Sequence, residues 1–371
     1  MTRISIRYCT GRKVEIIDDL TIDEVRLIDD CRLLTIVELK RVLVIRFSAL
    51  GDVAMLAPIV RKAAEQYPDV AFTMLSQQRF ADLFSGMPEN VTFHGVDLKK
   101  QSLHEIVKGL GKFDAVADMH SVLRSFYIRS AMLLKGARVA SIDKGRSDKR
   151  KLTSGKIHSP LKHTTERYAE VFKTLHLPIS DREWTENGPM LDRERPVRLE
   201  EHLPKTGVGI APFAAHRGKI YPIEKMERVV AMLSEKGVPV TLFGGGKNEM
   251  ELLGSWAGRY KGVESVAGKY RMAQELERIR GLKLMVTMDS GNMHLASLVG
   301  TRVISIWGAT HPFAGFLGYG QKESDCIQRD LECRPCSIYG NKPCKFGDYR
   351  CMDIAPEEVA ETILKAYDDR A

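Results

Sequence analysis

The stretch Leu284-Met285-Val286-Thr287-Met288 breaks off in Asp289-Ser290-Gly291, and an apolar run carrying His294 begins at once. An uninterrupted apolar run of strand length reads as a strand buried on both faces, as in parallel sheets. A helix starting directly behind it offers unpaired amides and a positive dipole end to whatever lies there. Such a turn favours an anion, phosphate in particular. A second switch of the same form, Val42-Leu43-Val44-Ile45-Arg46-Phe47 into Ser48-Ala49-Leu50-Gly51-Asp52, stands near the other end of the chain. The two together predict two similar α/β halves facing a shared cleft, with a phosphorylated small molecule as ligand.

From residue 41 onward strands and helices alternate, the pattern of a doubly wound parallel sheet. Strands are predicted at 42–47, 70–75, 91–95, 115–118 and 138–142, with helices at 53–67, 122–134 and 165–175. Residues 178–205 carry Pro178, Pro189, Pro196 and Pro204 among many charges and read as a linker. A second alternation places strands at 207–211, 238–243, 263–266, 284–288 and 303–307. Its helices are expected at 223–236, 248–260, 273–280 and 292–299, and a last one at 356–368. The expected organisation is an extension at 1–40, a Rossmann-like half at 41–190, a second at 191–355 and a terminal helix at 356–371. The charged extension repeats Ile-Asp-Asp and is open to being a strand-helix addition, an arm or a leader; it is given no role.

Composition narrows the class. Apolar content of 44% and charged content of 28% suit a soluble globular chain. No window approaches the roughly 18–20 apolar residues of a membrane span, and Asp18, Asp19, Asp29 and Asp30 interrupt any signal-peptide core. A cytoplasmic protein is expected, placed peripherally at the inner face of the inner membrane if its partner lies there. The net charge of +8 is uneven. Between residues 144 and 163 stand Lys144, Arg146, Lys149, Arg150, Lys151, Lys156 and Lys162 against the single acid Asp148. That block reads either as a solvated loop or as a surface for anionic lipid or glycan. Nucleic acid is disfavoured, because no aromatic residue interleaves the charges. Of seven cysteines, Cys333, Cys336, Cys344 and Cys351 have spacing open to a structural zinc site or to a metal-free loop.

Every candidate polar group follows a predicted strand, where open α/β sheets bind their ligands. Gly51 permits close approach of a ligand to the backbone, while Asp52 is open to plain helix capping as well as chemistry. His216, Arg217, Gly218 and Lys219 suit a phosphate loop or an exposed basic one. Gly244-Gly245-Gly246 fails the dinucleotide fingerprint, since Glu249 stands where the third glycine belongs, and a nicotinamide enzyme is disfavoured. Asp289, Ser290 and Gly291 form the strongest candidate, and His294 is open to being a satisfied buried histidine. Arg124 follows Asp118-Met119-His120, where a cation meets an anionic acceptor or solvent. Lys149, Arg150 and Lys151 centre the basic block.

In this order the motifs resemble glycosyltransferase family nine, the bacterial lipopolysaccharide heptosyltransferases and their relatives. The resemblance covers about residues 40–370. It rests on Val-Ile-Arg-Phe-Ser-Ala-Leu-Gly-Asp52, Lys219-Ile-Tyr-Pro222, Asp289-Ser-Gly-Asn-Met-His294-Leu-Ala, Trp307-Gly308 and the Cys-Arg-Pro-Cys tail. It implies a GT-B fold of two Rossmann-like domains facing a central cleft. It further implies an inverting, metal-independent transfer of heptose or a related sugar from a nucleotide-diphosphate donor to a lipopolysaccharide-core or similar glycolipid. By position, the resemblance makes Asp52 the general base and Lys219 the diphosphate-binding lysine. Glu249 corresponds to the glutamate near the nucleoside, and Asp289, Ser290, Gly291 and His294 to the donor-binding turn. Arg124 is similar to the acceptor-side basic position. The extension at 1–40 departs from the heptosyltransferase pattern. A nucleotide-sugar epimerase or hydrolase, and a non-catalytic anionic-glycan-binding protein, are the other classes that suit these residues.

Overall fold

The computed structural model describes residues 6–10, 13–17, 39–179 and 205–369. The chain divides into two compact units, Met1–Lys40 and Arg41–Ala371. In the first, β1 (Ile6–Thr10) pairs antiparallel with β2 (Lys13–Ile17), Ile6 opposite Ile17 and Thr10 opposite Lys13. The rest of the extension, and most of the linker, lies outside the described residues.

The second unit holds two all-parallel sheets. The first has the order β5-β4-β3-β6-β7, built from β3 (Arg41–Ile45), β4 (Ala71–Gln77), β5 (Val91–Val96), β6 (Ala115–Asp118) and β7 (Arg138–Ser141). The other has the order β10-β9-β8-β11-β12-β13, built from β8 (Val208–Ala211), β9 (Val240–Leu242), β10 (Val263–Ser265), β11 (Leu284–Met288), β12 (Arg302–Trp307) and β13 (Cys326–Gln328). The central strands β6, β8 and β11 are buried at every residue, because helices cover both faces; the edge strand β5 is mostly half-exposed. This burial is why the central strands read as continuous apolar runs. In each sheet the strand order reverses beside the first strand, between β3 and β6 and between β8 and β11. Such a reversal leaves a crevice at the strands' carboxyl ends.

Helices α1 (Leu50–Gln66), α2 (Leu103–Gly109), α3 (Leu123–Leu134), α4 (Arg146–Thr153) and α5 (Thr164–Thr174) accompany the first sheet. The second carries α6 (Ile223–Glu235), α7 (Lys247–Arg259), α8 (Met272–Arg280), α9 (Gly291–Leu298) and α10 (Pro356–Asp368). Val359, Ala360 and Ile363 of α10 belong to the second apolar core. The short elements α2 and β13 were not expected from the sequence, and residues 146–153 of the basic block form α4 while residues 154–163 stay irregular.

The halves are joined at the mouth of the cleft. The Leu161 and Thr164 amides donate to the carbonyls of Phe313 and Gly315 at 2.8 and 3.0 Å, and His163 Nε2 lies 2.7 Å from the Leu317 carbonyl. The N-termini of α1 and α9 also meet. A Cβ added at Gly51 would fall on the buried His294 ring, and one at Gly291 would lie 2.9 Å from Leu50 Cδ2. Glycine at both places lets the two turns approach side by side. Gly51→Ala is therefore expected to lower stability by about 1–3 kcal/mol through overpacking. Gly254→Ala, on an exposed position of α7 with nothing within 4 Å of the new Cβ, should instead gain roughly 0.5–1 kcal/mol. Urea unfolding midpoints measure both; equal shifts would refute the close contact.

Candidate active site

At the carboxyl end of β3, residues 46–52 leave the sheet and enter α1. Arg46 is buried, and a buried guanidinium needs partners. Its Nη1 donates to the Met119 carbonyl at 2.6 Å, and its Nη2 pairs with Asp52 Oδ2 at 2.5 Å. The same Asp52 oxygen accepts from the Ala49 amide at 3.2 Å, so the carboxylate also caps α1. Beneath it, Tyr168 of α5 donates its hydroxyl to the Asp52 carbonyl at 3.2 Å. Asp52 is thus both a cap and a pinned carboxylate; its side chain is 26% exposed, enough to meet a ligand.

That carboxylate lines a cavity of about 230 Å³ shared between the halves. Arg46, Lys144, Lys149 and Arg167 line it with Asp52 as the one acid, and Phe316 and Tyr339 come from the second half. Four cations against one carboxylate select an anionic ligand. His120 is pushed down to about 4 by burial and by the charges of Arg46 and Lys144, so its ring is neutral at pH 7. Its Nδ1 accepts from the Phe47 amide at 3.4 Å, which leaves the proton on Nε2, 3.5 Å from Ser48 Oγ. Burial, then the Arg167 charge, pushes Lys149 down to about 8. Its ammonium stands 4.3 Å from the Phe316 ring centroid.

Of the basic block, only Lys149 and Lys144 line this cavity. The helical turn of α4 carries Arg150 and Lys151 outward; both are exposed, and Lys151 pairs with Asp148 at 3.2 Å. Arg124 is exposed on the first turn of α3, near enough for its charge to bear on His120.

In the second half, Lys219 Nζ pairs with the buried Asp289 Oδ2 at 2.9 Å. The lysine stem is held by Gly340, whose φ of +70° and missing Cβ leave room for it; a Cβ there would lie 2.6 Å from Lys219 Cγ. Gly340 follows Tyr339 directly, so one loop supplies both part of the cavity wall and the surface on which the lysine stem packs. Ser290 precedes α9, its hydroxyl 3.0 Å from Thr287 Oγ1, and Gly291 opens the helix. His294 is pushed down to about 4 by burial, despite the nearby charges of Asp289 and Asp52. Glu249 accepts from the Gly245 amide at 2.8 Å and so fixes the glycine loop at the start of α7. Lys219, Asp289, Ser290 and Glu249 are not among the residues lining the Asp52 cavity.

Spacing left the four thiols open to a structural metal site or a metal-free loop. Among the described residues no group of three or more His, Cys, Asp or Glu side chains is placed to hold a metal ion. The segment is organised around the buried Arg334 instead, which donates to the carbonyls of Gly308, Thr310 and Arg329. Cys351 is drawn into the apolar core, while Cys344 faces the Asp348–Arg350 ion pair.

Arg46, Tyr168, Arg167, Phe316 and Tyr339 were not singled out by sequence. Arg46 carried a signal, an arginine at the end of an apolar buried strand. The aromatics reach the cavity from distant loops and carried none.

Two parallel-sheet halves with polar groups at their facing strand ends define a two-lobed α/β enzyme of the GT-B kind. Escherichia coli heptosyltransferase WaaC, solved with ADP and with ADP-2-deoxy-2-fluoro heptose, has this fold; in the ADP form it aligns with a TM-score of 0.59 and 18% identity over 88% of this chain and 97% of its own. Lipooligosaccharide heptosyltransferase 2 of Campylobacter jejuni is 25% identical over 84% of this chain and 93% of its own length. Lipopolysaccharide heptosyltransferase 1 of Pseudomonas aeruginosa is 25% identical over 86% and 92%. The sequence model of glycosyltransferase family 9 (heptosyltransferase) matches residues 103–347. The chain belongs to that family and is a glycosyltransferase.

Proposed function

We propose that the enzyme moves a heptose or related sugar from a nucleoside-diphosphate donor onto an anionic glycolipid of the lipopolysaccharide-core type. The transfer inverts the anomeric carbon and uses no catalytic metal. Residues 41–190 hold the acceptor, residues 191–355 hold the donor, and the terminal helix Pro356–Asp368 closes the second lobe. The names of the relatives, which are heptosyltransferases, support the sugar and pathway, and the cations around Asp52 support an anionic acceptor. The observation that carries the reading is Asp52 itself, a pinned carboxylate in a cationic cavity whose far wall, Tyr339, leads directly to the glycine packed on Lys219.

Asp52 takes the proton of an acceptor hydroxyl as that oxygen bonds to C1 of the sugar. The C1–O bond to the diphosphate breaks, and the leaving group departs with the electron pair. Lys219, the amides of residues 290–292 and the α9 dipole take up its charge. The dipole contributes roughly 0.3–1 kcal/mol, up to about 2 when partly buried. One well-placed donor in a dry site contributes about 3–4 kcal/mol. Enzymes lower barriers by at least about 8 kcal/mol, so several contacts and orientation of both substrates must act together. Asp289 holds Lys219 in place, His294 packs beneath the turn, and Glu249 fixes the loop beside the nucleoside. Lys149 and Arg124 meet the acceptor's anionic groups.

Product analysis with a nucleotide-heptose donor, with and without a deacylated core acceptor and with a chelator, tests this. Equal donor turnover in the absence of acceptor would favour a hydrolase or epimerase. Activity abolished by the chelator and restored by a metal would overturn the metal-free mechanism. Lys149 adds a pH signature. Its ammonium loses charge as pH rises through about 8, so the acceptor KM should climb above that pH while the donor KM stays flat. Lys149→Arg, charged throughout, should abolish the climb; a climb that persists would remove Lys149 from acceptor binding.

A further inference from the structure

Helix α3 buries Ser125, Ile128 and Met132 against the first sheet. Its outward face is apolar too. Leu123, Phe126, Tyr127, Leu133 and Leu134 recur at helical spacing along it; all are exposed, Leu123 by 87% and Leu134 by 90%. A surface helix carries one apolar stripe, and a second one facing outward marks a face that something else covers. The charges beside it are mainly positive. Arg124 and Lys135 stand exposed at its two ends, and exposed Arg146, at the start of α4, is near enough for its charge to bear on Lys144. The neighbouring α2 contributes Glu105 and Lys108, which cancel. Lys144 joins this face to the cavity, lining the cavity while donating to the Ser121 carbonyl, just before α3, at 3.2 Å.

We propose that the outward face of α3 docks on an anionic lipid bilayer, its apolar stripe in the headgroup–acyl boundary and the flanking cations on the lipid phosphates. Apolar area with adjacent Lys and Arg is the combination that holds a helix at such an interface. Two copies packed through this face would bring like-charged rims together, which disfavours self-association. Among the described residues no helix is long and apolar enough to cross a membrane, so the contact is one of lying on the surface. That the docked pose presents the cavity to a membrane-embedded acceptor rests on the functional reading above; the lipid contact does not.

The full chain is tested by co-sedimentation with phosphatidylglycerol–phosphatidylethanolamine vesicles and with phosphatidylcholine vesicles. The wild type should prefer the anionic vesicles. Leu123→Ser/Phe126→Ser/Leu134→Ser, which alters only exposed positions, should bind them at least about tenfold more weakly. The triple variant should keep its melting temperature and its turnover of a water-soluble acceptor, and lose turnover of a vesicle-embedded one. Vesicle binding by the triple variant equal to wild type, or no wild-type binding, overturns the proposal. Light scattering that shows a wild-type oligomer dissociated by the triple variant overturns it too, and gives the face to a second copy. Wild-type vesicle binding without any sugar transfer would instead count against the functional reading alone.

Discussion

Asp52→Asn is expected to lower kcat by about 10²–10⁴, the range for loss of a positioned general base. The amide keeps the size of the carboxylate and can still accept from the Ala49 amide and from Arg46, so the start of α1 and the buried guanidinium remain satisfied. It cannot take a proton from a hydroxyl. Asp52→Ala is a poorer test, because it removes the acceptor as well as the charge and leaves both the buried Arg46 guanidinium and the Ala49 amide without that partner. The donor KM should stay within about threefold, since an interaction made only in the transition state lowers kcat without weakening ground-state binding. Asp52→Glu moves the oxygen outward by one methylene and should retain part of the activity. Turnover of the asparagine variant within tenfold of wild type, in a protein that melts normally, would remove Asp52 from proton transfer.

The sequence disclosed those features in which local chemistry and global fold agree. Strands β3, β8 and β11 read plainly because burial on both faces keeps their runs almost wholly apolar, broken only by Arg41 at the start of β3 and by Thr287. The turns at Gly51-Asp52 and Asp289-Ser290-Gly291 read plainly because a strand end, a small residue and a polar one stand in succession. Spacing without surroundings left the Cys333 and Cys336 pair open to a metal knuckle or a metal-free loop; in the fold the arginine between them donates to four backbone carbonyls and organises the loop. The basic block gave its charge but not its direction; only the α4 helix decides that Lys149 turns inward while Arg150 turns away. Short elements such as the three-residue β13 are held by pairing with β12 rather than by propensity, so no local pattern announces them. Phe316 and Tyr339 are placed by contacts between the halves, which no single stretch of sequence encodes.

Lys219→Met is the second large effect. It keeps most of the stem packed on Gly340 and deletes the charge, so kcat with a diphosphate-linked donor should fall by about 10²–10³, the loss seen when one aimed donor is removed from a dry site. The affinity for a nucleoside diphosphate should fall with it, while that for the corresponding nucleoside should barely move, because only the former presents the anion that Lys219 meets. A purely structural account competes with this one. Lys219 pairs with Asp289, and that carboxylate, 4% exposed, is left buried and unpaired in the single variant. Adding Asp289→Asn separates the two accounts. The double variant carries no orphaned charge, so its stability should return most of the way to wild type, whereas diphosphate affinity should stay low. Recovery of both in a thermal melt and a calorimetric titration would assign Lys219 to holding Asp289 alone, and the leaving group would then need another cation.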